Sequence, residues 1–128
     1  MTAAASPVRE YQVRAETTRT FGRVLASARH HHLVVDGPVQ NGCPGEAVTP
    51  AELFLGAVAA CGAELIQVIA RDEGVPLDAV AATVTGSVDR SRQARADVTV
   101  FTRVHVDIGL AGVDAARAAA LVEGFKRR

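Results

Sequence analysis

The chain has no tryptophan, one tyrosine and four phenylalanines among its 128 residues. A core without many large rings must be assembled from Ala, Val and Leu, whose side chains each bury little area. Pairing with a second subunit would help to complete it. An excess of charge of either sign is lacking as well, with 14 Lys+Arg against 14 Asp+Glu. A sequence-independent grip on nucleic acid needs a basic face that releases counterions. Only Lys126-Arg127-Arg128 cluster, so nucleic acid is not an expected partner. No unbroken apolar run reaches the ~18 residues of a membrane span. The longest, Leu53 to Ala63, is parted from its continuation by Glu64 and Gln67, and no membrane association is expected. Met1-Thr2-Ala3-Ala4-Ala5-Ser6-Pro7 has neither a basic start nor an apolar centre, and reads as a tail rather than a secretory signal. Two cysteines without an export signal point to the reducing cytosol, hence a cytoplasmic protein.

What is present reads as one α+β domain over residues 10–128, behind a flexible tail over 1–9. Tyr11 and Val13 alternate with polar neighbours, Phe21 to Leu25 is apolar, and His31 to Val35 ends in a β-branched pair. Asp36-Gly37-Pro38 then signals a turn, so the start is an N-terminal β-meander. A breaker-rich loop, Gln40 to Glu46, leads to Thr49 as N-cap, Pro50 at the first helical position and Glu52 closing a capping box. The pattern predicts a helix to about Asp72, stopped by Gly74 and Pro76. It is apolar on almost every side, as expected of a long central buried helix that one sheet cannot cover alone. Val80, Ala82, Val84, Gly86 and Val88 share a strand face, and Val98 to Ile108 alternates without a break, predicting further antiparallel strands. Asp114 caps a C-terminal Ala-rich helix ending in Phe125-Lys126-Arg127-Arg128.

Cys61 lies in the middle of the long helix, and by physics alone it reads first as a small core hydrophobe. About three turns from the helix start, it gains little from the dipole, so a reactive thiolate there requires a cation from elsewhere. His30-His31-His32 point to alternating faces of a strand, leaving at most two on one side, and His105 adds a single imidazole. No metal site is expected. There is no Gly-rich phosphate loop, Ser-His-Asp order or pair of catalytic carboxylates.

The segment Thr49-Pro50-Ala51-Glu52-Leu53-Phe54-Leu55-Gly56-Ala57-Val58-Ala59-Ala60-Cys61 resembles the Pro-Glu-x-Leu…Ala-Ala-Cys helix of the OsmC/Ohr family, the osmotically inducible and organic hydroperoxide resistance proteins. His32 to Pro38 resembles the strand and turn before that family's Gly-rich loop. Gly74 to Val80 resembles its link to the next strand, and Asp107-Ile108-Gly109-Leu110 its last strand. The resemblance spans roughly residues 10 to 128 and implies an intertwined homodimer with active sites at the subunit interface. It implies a peroxidase in which Cys61 attacks an organic hydroperoxide and becomes a sulfenic acid, which a second cysteine captures as a disulfide. An arginine and the Glu of the Pro-Glu pair orient the site, and an external dithiol, often a lipoyl protein, regenerates it. No bound cofactor is implied.

The sequence departs from that pattern in two places. Ala51 stands where the family has Glu, and the acid comes one place later as Glu52. Nine positions from Cys61 is about 180° around a helix at ~100° per residue, so Glu52 reads as a cap. Glu64, three residues past Cys61, shares its face better and is the alternative acid. The family's second cysteine follows the final helix, about where this sequence ends at Arg128. Either the sequence stops short of it or this member lacks it, and Cys43, followed by Pro44, is the candidate replacement. For the cation, Arg19 and Arg23 contend, with the spacing favouring Arg19. The alternative function is a non-catalytic OsmC-like dimer that binds a small molecule or senses redox state.

Overall fold

A computed structural model of the chain describes residues 6–128. The expected tail is irregular from Ser6 to Val13, and its first five residues lie outside the described ones. The chain falls into two compact units, one ending at Glu52 and the other running from Leu53 to Arg128.

The first unit is built on an antiparallel meander, β1 (Arg14–Thr17), β2 (Arg23–Ala28) and β3 (His31–Asp36), in the order β1-β2-β3. Only Arg29 and His30 separate β2 from β3, and Arg29 adopts φ 56°, the left-handed conformation such a tight turn demands. This two-residue turn sets the register and pairs Arg23 with Asp36 at the far end. Beyond β3 the chain passes through one 3-10 turn, Val39–Asn41, and the breaker-rich loop.

The second unit holds most of α1 (Pro50–Asp72), a hairpin of β4 (Ala79–Ser87) and β5 (Arg103–Ala111), and α2 (Ala115–Lys126). Its core is Ile66, Ile69 and Ala70 of α1 against Leu121 of α2, flanked by Val80, Ile108 and Leu110 from the hairpin. The Phe125 ring packs over Gly62 of α1, where an added Cβ would meet it at 3.4 Å, ordinary van der Waals distance. Asp114 caps α2 by accepting from the Arg117 amide at 2.8 Å.

One expectation changes. The unbroken strand predicted from Val98 begins only at Arg103. Ahead of it Gln93 occupies the Val100 backbone, its side-chain amide accepting from Val100 N at 2.7 Å and donating to Val100 O at 3.1 Å. It takes the hydrogen bonds a partner strand would have made. Within the chain the long helix buries only Gly62, Ile66, Ile69 and Ala70 and leaves Leu53 and Phe54 exposed, in keeping with a helix that one sheet does not cover alone. By length and composition α1 is apolar enough to cross a membrane even though no unbroken run is long enough, a test that the core helix of a soluble domain also passes.

Candidate thiol site

Cys61 is a free thiol and is exposed on α1. Reading it as a core residue of the chain is therefore corrected. Seven residues earlier, Phe54 lies on nearly the same face of the helix, since seven residues make almost two whole turns. Phe54 is 56% exposed and stacks on Phe101, with ring centroids 5.8 Å apart. Phe101 holds its place because Gly86 has no side chain: a Cβ there would lie 2.6 Å from the ring. Glu64, on the next turn from Cys61, is exposed and borders a shallow depression with Gln67, Val68 and Arg71.

Glu52 caps the helix, as its position implied. One carboxylate oxygen accepts from the Thr49 amide at 3.0 Å and the Thr49 hydroxyl at 2.8 Å, which holds its pKa below the ordinary value. Thr49 Oγ1 in turn accepts from the Glu52 amide at 3.4 Å, closing the reciprocal box.

Arg23 has a partner that the sequence reading did not assign. Its Nε and Nη2 donate to the two carboxylate oxygens of Asp36 at 2.8 and 2.9 Å, a bidentate pair. Asp36 has no exposed surface, and its Oδ2 also accepts from the amides of Glu46 at 3.0 Å and Ala47 at 2.9 Å. The Arg23 hydrogen bonds first, then the two loop amides, hold the Asp36 carboxyl far below the usual carboxylate range. The same pairing, with Glu46 at 3.6 Å, holds the Arg23 guanidinium charged more firmly than usual. Arg23 is thus an anchor for the loop before α1, whereas Arg19 is exposed and has no ion-pair partner among the described residues. A signal for this pairing existed, because a two-residue turn at Arg29-His30 places residues 23 and 36 opposite one another.

Cys43 is half-buried in the same loop, its thiol donating weakly to Asn41 O at 3.8 Å. It packs over two glycines: a Cβ on Gly22 or Gly37 would lie 2.5 Å from its sulfur. Arg19, Arg23, Glu52 and Cys43 belong to the first unit, and Cys61 and Glu64 to the second. Among the histidines, His32 Nδ1 and Ser27 Oγ share a hydrogen bond of 2.8 Å across the β2–β3 pair. No group of three or more His, Cys, Asp or Glu is placed to hold a metal among the described residues.

An exposed cysteine on a long apolar helix, set in an α+β chain of meander, helix, hairpin and helix, defines an OsmC-type fold. A family profile described as OsmC-like protein matches residues 43–128, and the chain belongs to that family. Solved structures agree on the fold. An organic hydroperoxide resistance protein OsmC from Legionella pneumophila is 22% identical, with 95% of this chain and 85% of that one covered and a TM-score of 0.74. An organic hydroperoxide resistance protein from Elizabethkingia anophelis is 13% identical over 96% and 85% of the two chains, with a TM-score of 0.75. A putative osmotic stress induced and detoxification response protein from Psychrobacter arcticus is 22% identical over 96% and 85%, with a TM-score of 0.71. No curated protein matches the chain.

Proposed function

We propose that this protein is a thiol-dependent peroxidase that reduces organic hydroperoxides through Cys61 and works as a homodimer in the cytoplasm. The observation that carries this reading is the exposed thiol of Cys61 on a helix that lies within the family-matched segment. In the first step the Cys61 thiolate attacks the peroxide oxygen distal to the organic group. An S–O bond forms, the O–O bond breaks, and the alkoxide leaves as an alcohol after taking up a proton. Cys61 is then a sulfenic acid. A second thiol attacks that sulfur, forming a disulfide and releasing the oxygen as water. An external dithiol, of lipoyl type in this proposal, returns the disulfide to two thiols.

The roles of the other groups follow from what they already hold. Arg19 is the cation assigned to the thiolate, because Arg23 is committed to Asp36. Glu64 is the acid assigned near Cys61, because Glu52 is committed to Thr49. Cys43, which packs over Gly22 and Gly37, is the candidate assigned to resolve the Cys61 sulfenic acid. The apolar side chains along α1, Phe54 among them, favour organic hydroperoxides over hydrogen peroxide.

The test is peroxide consumption with cumene hydroperoxide and dithiothreitol. The wild type is expected to turn over and Cys61→Ser to fall to the uncatalysed rate. Equal rates in the two proteins overturn the reading.

A second reading, a non-catalytic OsmC-like dimer that binds a small molecule or senses redox state, is favoured by Ala51 standing at the family's Glu position. A Cys61 thiol that alkylates with a pKa near that of free cysteine, ~8.5, supports this alternative. A Cys43–Cys61 bond after mild oxidation, without turnover, supports its redox-sensing form.

A further inference from the structure

Where β4 ends and β5 begins, the second unit opens into a cleft of about 690 Å3. That volume lies within the range of small-molecule sites, ~300–1,000 Å3. Val100 and Phe101 supply apolar surface, Arg92 and Arg103 supply cations, and Ser87 and Thr102 contribute hydroxyl side chains. Arg103 and Ser87 face one another in the strand register and also border a smaller depression with Thr85 and His105.

The two arginines in this cleft are unpaired. Among the described residues Arg92 and Arg103 form no ion pair, whereas Arg14, Arg23, Arg71 and Arg95 each have at least one. The one carboxylate in the lining, Asp89, keeps its negative charge but pairs with neither arginine. Its Oδ1 accepts from the Ser91 amide at 2.9 Å and the Ser91 hydroxyl at 2.6 Å, which holds its pKa low. The Thr102 hydroxyl is likewise taken up, donating to Ser87 O at 3.0 Å and accepting from Asp89 N at 3.2 Å. The lining therefore carries two cations against one anion, a net positive charge, with both guanidiniums unpaired. The apolar surface does not end at Phe101, which stacks on the exposed ring of Phe54.

The geometry points to a binding site for an amphipathic anion, a molecule with one anionic head and an apolar body, in the cleft between Arg92 and Arg103. The head pairs with the guanidiniums and the body lies on Val100 and Phe101. Both halves are needed. Exposed guanidiniums hold a bare anion weakly because water and salt screen them. An open apolar surface of this size holds a neutral chain weakly because much of the chain stays in water. Neither the head nor the body of the ligand needs Cys61, Arg19, Glu64 or Cys43, the groups assigned to the thiol chemistry.

Calorimetric titration of the whole chain with sodium decanoate, 1-decanol and sodium acetate tests the assignment. Decanoate is expected to bind saturably at one site and more weakly as salt rises. Decanol and acetate are each expected to bind about tenfold or more weakly than decanoate, since each lacks one half of the recognised chemistry. Arg92→Gln/Arg103→Gln is expected to weaken decanoate about tenfold, through loss of two charge-assisted contacts. Arg92→Lys/Arg103→Lys, which keeps both charges, is expected to retain most of the affinity. Decanoate binding unchanged in the Gln variant, no decanoate binding to the wild type, or decanol binding as tightly as decanoate overturns the site. Both arginines are exposed, so an unchanged melting temperature is expected in each variant.

Discussion

A carboxylate with no exposed surface sits at position 36 and accepts four hydrogen bonds, two from Arg23 and one each from the amides of Glu46 and Ala47. Its pKa is lowered on folding, so its contribution to stability is complete above the unfolded aspartate value, ~3.9. That contribution is lost as pH falls from there toward the lower folded value. Denaturation followed from neutral to acid pH is expected to show the wild type losing stability below about pH 4. Asp36→Asn is expected to be less stable at neutral pH and to have a flatter acid limb. Arg29 makes the opposite prediction. Its φ of 56° is strained for any residue with a Cβ. Arg29→Gly is expected to raise the unfolding free energy by about 0.5–1 kcal/mol, read from urea denaturation. The sequence shows an aspartate in a turn-like Asp-Gly-Pro context at position 36. Only the register of β2 on β3 makes it the counter-ion of Arg23.

Among the elements, α1 was legible almost to the residue, because its limits are written in local chemistry. Thr49, Pro50 and Glu52 open it, and Gly74, at φ 67°, follows its end at Asp72. Thr49→Ala removes the cap and is expected to cost about 1 kcal/mol, measured by thermal or urea unfolding. Ile66, fully buried against α2, is the stronger test of packing. Ile66→Ala is expected to cost about 2–5 kcal/mol. The hairpin was legible only in part. Alternation from Val98 onward is a strand signal, but alternation reports which face is apolar, not whether a partner strand is present. Gln93 occupies the backbone of Val100 instead, a contact that no local pattern reveals.

For the molecule as a whole, the exposed apolar side chains Leu53 and Phe54 on α1 are what a proposed homodimer would cover. Sedimentation is expected to show a dimer, with a melting temperature that rises with protein concentration. A monomer at all concentrations would remove dimerisation from the proposed function. The sequence by itself determined the α+β class, the span of both helices and the place of Cys61 on the longer one. These follow from hydrophobic period, caps and breakers, which act over a few residues. The tertiary structure alone decided that Cys61 is exposed rather than a core residue of the chain, and that Arg23 is held by Asp36. It also decided that β5 starts late, and that Arg92 and Arg103 share a cleft. Each of these depends on groups distant in sequence meeting through strand register and side-chain packing, which no short window of residues contains.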